Sequence, residues 1–258
     1  MNLDRIVARL AEGMSYVDAH DDDIRVNYKT KMPYLPGLPS MGEVEVVDKV
    51  ADWWKFAYPG DFNPSEAVGS RHTFNPDNPK EACDLVFSTE MPTTRPWEWA
   101  IEAKRFQFVG DNGGKNDHHV QKMLSPYLKD RSLIHDIHRL NHWQVGQRQA
   151  VIGYMFAYDF KSCEEAEQRH PDETLRIKNI RNACRSNDAV SGRMHPHPLI
   201  EVANNVFHDE RLVYDVVVKE QRGLWRHPCG GTVVVFGWEL VPQQQSDGED
   251  VSRLPLQG

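Results

Sequence analysis

The sequence predicts an α/β fold, a sheet with helices on both sides, and three observations predict it. Residues 40–57 carry apolar side chains at helical spacing. Residues 83–87, 97–108 and 150–158 are apolar, β-branched and aromatic runs of strand length. Between the last two lies a region, 117–143, that reads as helical with an interruption near Pro126. The chain has 258 residues, 40% of them hydrophobic and 10% aromatic, enough to bury a substantial core.

In chain order, residues 2–12 read as a short helix with Leu3, Ile6, Val7 and Leu10 on one face. A polar, proline-rich connector ending in YLPGLPS completes a segment 1–39. Ser40 opens the second helix, where Ser40 and Glu43 fit a capping box. Val44, Val47, Val50, Ala51 and Trp54 follow on one stripe, and the helix should stop before Pro59-Gly60. Residues 61–81 are turn-rich, with a short strand around 70–74. Then come the strand 83–87, a loop holding Pro92 and Pro96, the longer strand 97–108, a glycine turn at 110–114, the helical region and the strand 150–158. Residues 163–186 look helical with a break near Pro171, and 212–218 and 232–240 look strand-like. The expected organisation is a core at 40–158, a helical and β extension at 159–241 packed on it, and a loose polar tail at 242–258.

Composition excludes several function classes. No apolar run approaches the ~18 residues of a membrane helix, so a membrane partner is not expected. The N-terminal MNLDRIVARLAEG lacks the continuous apolar stretch of a secretory leader, which makes the cytoplasm the expected compartment. A net charge of −8 excludes a wholly basic nucleic-acid coat but leaves room for a local basic cleft. The acids Asp21, Asp22 and Asp23 read as solvated surface. Cys83, Cys163, Cys184 and Cys229 are far apart in sequence and form no CxxC pair, so they read as ordinary thiols. His135, His138 and His142 share one helix face without an HExxH pattern and read as a polar face. His195, His197, His208 and His227, near Cys229, lack zinc-ligand spacing.

The chemistry is concentrated in EACDLVFSTEMPTTRPWEWAIEAKRFQF. Side chains alternate faces along a strand, so Glu98, Ala100, Glu102 and Lys104 share one face and Trp97, Trp99, Ile101 and Ala103 the other. Charges inside an apolar strand need a partner or a metal, because burying them alone is costly. Asp84 opens the preceding strand, and a hairpin would bring it to Glu102. A carboxylate pair is the usual protein contribution to a Mg²⁺ site. Such an ion stabilises charge on a phosphodiester and activates a water, which a nearby ammonium can orient or help deprotonate.

Asp84 followed by Glu102-Ala103-Lys104 resembles the D…(D/E)xK signature of the PD-(D/E)xK nucleases, with Cys83 in the place of the proline. The helix, three strands, helix, strand order of 40–158 matches that family's core. The resemblance implies a restriction-endonuclease-like mixed β-sheet flanked by helices. It implies that Asp84 and Glu102 bind Mg²⁺, with Mn²⁺ as substitute, and that Lys104 acts on the attacking water. The substrate would be DNA, or RNA, and cutting both strands is compatible with a homodimer. A literal Pro76-Asp77 lies upstream, but in a turn-like NPDNP. An exposed strand with a cross-strand salt bridge would match the motif by accident.

Further candidates surround this core. Glu43 falls in the middle of the apolar stripe of its helix, as does a helix acid that reaches the metal site in several branches of the family. It is also the third residue after Ser40, so it either joins the site or only caps the helix. Gln121 and Tyr127 resemble, at a longer spacing, the glutamine and tyrosine that follow the ExK strand in exonuclease-like branches. Arg176, Lys178, Arg181, Arg185 and Arg193 form the strongest basic cluster, the first four readable as a phosphate-contact helix or as a solvated face. Lys115, after the glycine turn, would approach DNA. The expected reaction is metal-dependent DNA hydrolysis, of restriction or defence type. The alternatives are a non-catalytic nucleic-acid-binding protein on the same fold and an interaction protein with an accidental motif.

Overall fold

The structure is a computed structural model that describes residues 1–62, 69–75, 78–89, 97–106, 109, 119–127, 132–187, 197–214 and 218–241. In chain order the elements are α1 (Leu3–His20), α2 (Glu43–Ala57), β1 (Gly69–Asn75), β2 (Asn78–Phe87), β3 (Trp97–Phe106), α3 (His119–Leu124), α4 (Leu133–Trp143), β4 (Gly146–Ala157), α5 (Phe160–Arg169), α6 (Thr174–Asn187), α7 (His197–Asp209), β5 (Val218–Gly223) and β6 (Thr232–Glu239). The strands form one six-stranded mixed sheet in the order β1-β2-β3-β4-β6-β5, in which β3 and β4 are parallel and the other neighbours antiparallel. The expected α/β architecture with helices on both faces is present.

Strand parity assigns the faces. Gly237 of β6 lies under Val7 of α1, whereas its neighbour Trp238 packs on Phe207 of α7 and donates its Nε1–H to Asn204 Oδ1 at 3.0 Å. α1 and α2 therefore cover one face and α7 the other. α2 continues its side over β2, where Trp54 packs edge-on to Phe87. α4 lies on β3 and β4 and belongs to the α7 side, because the residues of β3 that meet it, Glu102 and Lys104, share a face with Gly153 and Phe236. Gly153 is required there. It pairs with Lys104 in the β3–β4 ladder, and a Cβ on it would fall 2.1 Å from the Phe236 ring and 2.8 Å from that of Phe106.

Several elements depart from the sequence expectations. α1 runs to His20 rather than ending at residue 12. Gly13 does not end it: it sits where α1 crosses α2, and a Cβ there would meet the Trp53 ring at 2.6 Å. Close packing, with Met14 and Val17 extending the buried stripe, outweighs glycine's low helix propensity. Ser40 does not cap α2. Its hydroxyl donates to Gly37 O at 2.8 Å within a short 3-10 turn, and Gly42 is the N-cap without a side-chain bond. Val44 faces solvent while Val46 is buried. The helix α7 was not expected at all. Its sequence opens on His-Pro and carries two asparagines, yet Ile200, Ala203 and Phe207 bury one face. The run expected as a strand at 212–218 is a single bridge, Val213 to Leu240, then the start of β5 at Val218, with 215–217 outside the described residues. β6 extends the sheet, pairing with β4 from Ala150↔Glu239 to Ala157↔Thr232.

One buried carboxylate ties the N-terminal segment to the C-terminal strands. Asp18 is fully buried and accepts the backbone N–H groups of Leu38 (2.7 Å), Trp225 (2.6 Å) and Arg226 (3.0 Å). Asp18→Ala leaves all three donors without an acceptor. It should lower the stability by about 3–5 kcal/mol, the cost of breaking a buried charged contact. Urea unfolding measures this, and a loss below about 1 kcal/mol would mean that water replaces the carboxylate at little cost.

Candidate active site

The site forms because β2 leaves β3. The two strands pair at Leu85↔Ile101, Val86↔Ala100 and Phe87↔Trp99, whereas Ala82 and Cys83 pair with β1. A wedge opens beside β3 from Glu102 onward. Two carboxylates take backbone N–H groups there: Asp84 Oδ2 accepts from Ala103 at 2.9 Å, and Glu43 Oε2 accepts from Arg105 at 2.7 Å. Glu43 is the first residue of α2. With Ser40 bonded elsewhere, the helix end delivers this acid to the wedge rather than to a capping box.

Lys104 and Glu102 point to the other wall, which α4 supplies. Lys104 Nζ lies 3.0 Å from Asp136 Oδ2 and 3.7 Å from Glu43 Oε1. Arg139 reaches Glu102 Oε2 at 2.6 Å and Asp136 Oδ1 at 3.2 Å. The structure thus brings Asp84, Glu102, Lys104 and Glu43 to one place and adds Asp136 and Arg139, which the sequence reading did not place there. Glu102, Lys104 and Asp136 are buried, and Asp84 keeps part of its surface exposed. Glu102 Oε1 is buried without a hydrogen-bond partner.

The electrostatics follow from burial and crowding. Burial pushes the Asp84 carboxyl up to about 6, with Glu43 and Asp136 adding to it and the Ala103 N–H and Lys104 opposing. Burial, then the charges of Asp84 and Asp136, hold Glu102 well above the usual carboxylate range, against the pull of Arg139 and Lys104. Burial alone would lower Lys104, but Asp136, Glu43 and Glu102 outweigh it and leave the ammonium above the ordinary lysine value. A lysine in that state holds its proton and orients a neighbour; it does not act as a base at neutral pH. Tyr154, paired with Arg105 across β3 and β4, is fully buried with its hydroxyl unpartnered, and burial followed by the charge of Glu43 raises it.

The donor set suits a hard divalent cation, since carboxylates are its preferred ligands and one buried carboxylate oxygen lacks any partner. As packed, however, no three His, Cys, Asp or Glu side chains among the described residues gather tightly enough to hold a metal. Asp84 is tied to the β3 backbone, and the Arg139 guanidinium bridges Glu102 and Asp136.

The remaining candidates fare differently. Glu98 shares the Glu102 face but is used structurally, accepting the Thr89 N–H at 2.7 Å and pairing with the Met1 amino group at 3.1 Å. Gln121 is exposed on α3; its neighbour Lys122 donates to Arg105 O at 3.3 Å. Tyr127 is exposed. On α6, Arg176 pairs with Glu173 at 2.8 Å and Arg181 with Glu167 at 3.0 Å, so both are engaged within the fold, while Lys178 and Arg185 are exposed. Lys115, Asp77, Arg193 and the glycine turn 110–114 lie outside the described residues. The thiols, distant in sequence, are not distant in space: Cys163 meets both Cys184 and Cys229, and all four cysteines are free and buried. Of the acids expected as solvated surface, Asp22 and Asp23 are exposed, pairing with Arg226 and Lys49, whereas the Asp21 side chain is enclosed between Arg25 and Lys49.

No family model, no curated protein and no solved structure matches the chain.

Proposed function

We propose that the chain is a metal-dependent nuclease that hydrolyses phosphodiester bonds in DNA, an endonuclease of restriction or defence type. The observation that carries this reading is the convergence of Asp84, Glu102, Lys104 and Glu43 at the point where β2 splits from β3. Two strands and a helix end supply acids to one wedge, with a charged lysine among them. An accidental motif gives no reason for Glu43 to be there or for Glu102 to be buried with an oxygen unpartnered.

In this reading Asp84 and Glu102, helped by Glu43, hold Mg²⁺ or Mn²⁺. When bound, the cation supplies charge stabilisation for the phosphodiester and lowers the pKa of a water. Lys104, kept protonated by Asp136 and Glu43, orients that water and the scissile phosphate. Lys178 and Arg185 are the α6 residues left for phosphate contacts, since Arg176 and Arg181 are paired internally. Cutting of both strands would be the work of two copies of the chain.

The test is incubation of the purified chain with circular DNA, linear DNA and RNA, with and without Mg²⁺ or Mn²⁺. Nicking or linearisation of circular DNA only with the cation is expected. Retention of nucleic acid without cleavage would instead favour a non-catalytic binder on this fold. Neither cleavage nor retention would make the motif accidental.

A further inference from the structure

We propose that Arg139 is a built-in counter-cation: its guanidinium occupies the divalent ion's place at Glu102, and the site admits the ion only when Arg139 swings away. This rests on the metal-binding reading of the wedge. Arg139 lies 2.6 Å from Glu102 Oε2 and 3.2 Å from Asp136 Oδ1, so one cationic group already bridges two of the acids. Without it, Glu102 would be a buried carboxylate facing Asp84 and Asp136 with no cation in contact, a costly arrangement. Even with it, Glu102 Oε1 stays unpartnered, so a guanidinium satisfies only part of what this carboxylate offers.

The two cations of the cluster are held differently. The Lys104 side chain is 9% exposed and lies between Asp136 and Glu43, whereas the Arg139 side chain is 24% exposed. Of the two cations Arg139 is therefore the one nearer to water, and the Glu102 and Asp136 side chains, at 2% and 3%, are held inside. Asp136 keeps Lys104 positioned after Arg139 has left. Asp136 is thus a positioning residue and Arg139 a placeholder, each acting through a neighbour.

Calorimetric titration with Mn²⁺, and thermal unfolding with and without it, on wild type, Arg139→Gln and Arg139→Lys, test the proposal. Arg139→Gln should bind Mn²⁺ about tenfold or more tightly than wild type, the scale of one charge-assisted contact removed from competition. Its melting temperature without cation should fall, and Mn²⁺ should restore it by more than it raises that of wild type. Arg139→Lys keeps the competing charge and should bind Mn²⁺ as wild type does. Arg139→Gln binding no more tightly than wild type overturns the proposal, as does Arg139→Lys binding as tightly as Arg139→Gln. An Arg139→Gln chain that fails to fold even with Mn²⁺ also overturns it, because the ion then cannot stand in for the guanidinium. If wild type and both variants all fail to bind Mn²⁺, the metal-binding reading falls first and this proposal with it.

Discussion

Asp84→Asn, Glu102→Gln and Lys104→Ala should each reduce cation-dependent plasmid cleavage by about 10²–10⁴-fold or more, the range set by losing an acid–base or metal contribution. The routes differ. The two carboxylate changes keep shape and remove charge, so Mn²⁺ affinity and activity should fall together. Glu102→Gln also loses the ion pair with Arg139, and the freed guanidinium should settle on Asp136. Lys104→Ala leaves both acids in place and should keep Mn²⁺ and DNA binding while losing turnover. Removal of its positive charge should tighten Mn²⁺ binding, because Glu43 and Asp136 lose a competing cation. Calorimetry beside a plasmid-nicking assay separates these outcomes. Cleavage by Lys104→Ala at the wild-type rate, or full metal affinity in Asp84→Asn, would overturn the division of roles.

Half of this site was legible because it obeys the two-residue period of a strand. Glu102 and Lys104 stand on one face of an apolar run, and Asp84 opens the run before it. Glu43 was legible as an acid in the middle of an apolar helix stripe. The capping-box reading competed only because the sequence does not reveal that Ser40 bonds back to Gly37. Asp136 carried the same signal as Glu43. At 100° per residue it falls beside Leu133 and Leu140 on the buried arc of α4, but the histidines of that helix drew attention to a polar face instead. Arg139 lies three residues on, at the edge of that arc, where an arginine looks solvated until its partner is known. The pairing of β6 with β4 across α5, α6 and α7 has no local signature, because long-range strand order is set by which apolar faces meet, not by any one segment. The meeting of Cys163 with Cys184 and Cys229 depends on the same tertiary packing.

Asp84→Asn should make the cation-free protein more stable while making it inactive, and the pH dependence gives the sign. Burial raises the folded-state pKa of Asp84 from 3.8 to about 6. A carboxyl whose folded value lies above its unfolded value costs stability once ionised. Below about pH 4 it is protonated in both states and costs nothing. Between about pH 4 and 6 the unfolded chain ionises first, so stability falls as pH rises, and above about 6 the full penalty stands, on the order of 3 kcal/mol. Asparagine carries no charge, and its Oδ1 can still accept the Ala103 N–H that Asp84 accepts at 2.9 Å. In EDTA at pH 8 the variant should therefore exceed wild type by on the order of 3 kcal/mol, and the gap should close near pH 4. With saturating Mn²⁺ the order should reverse, since only wild type gains the binding energy of the ion. Urea unfolding at the two pH values, with chelator and with Mn²⁺, gives all four numbers. A variant less stable than wild type at pH 8 in EDTA would mean that the Asp84 carboxylate is a structural clamp on β3. A carboxylate that stabilises the empty fold is not one held at a cost for a cation to relieve, and the functional reading of the wedge would lose its second acid.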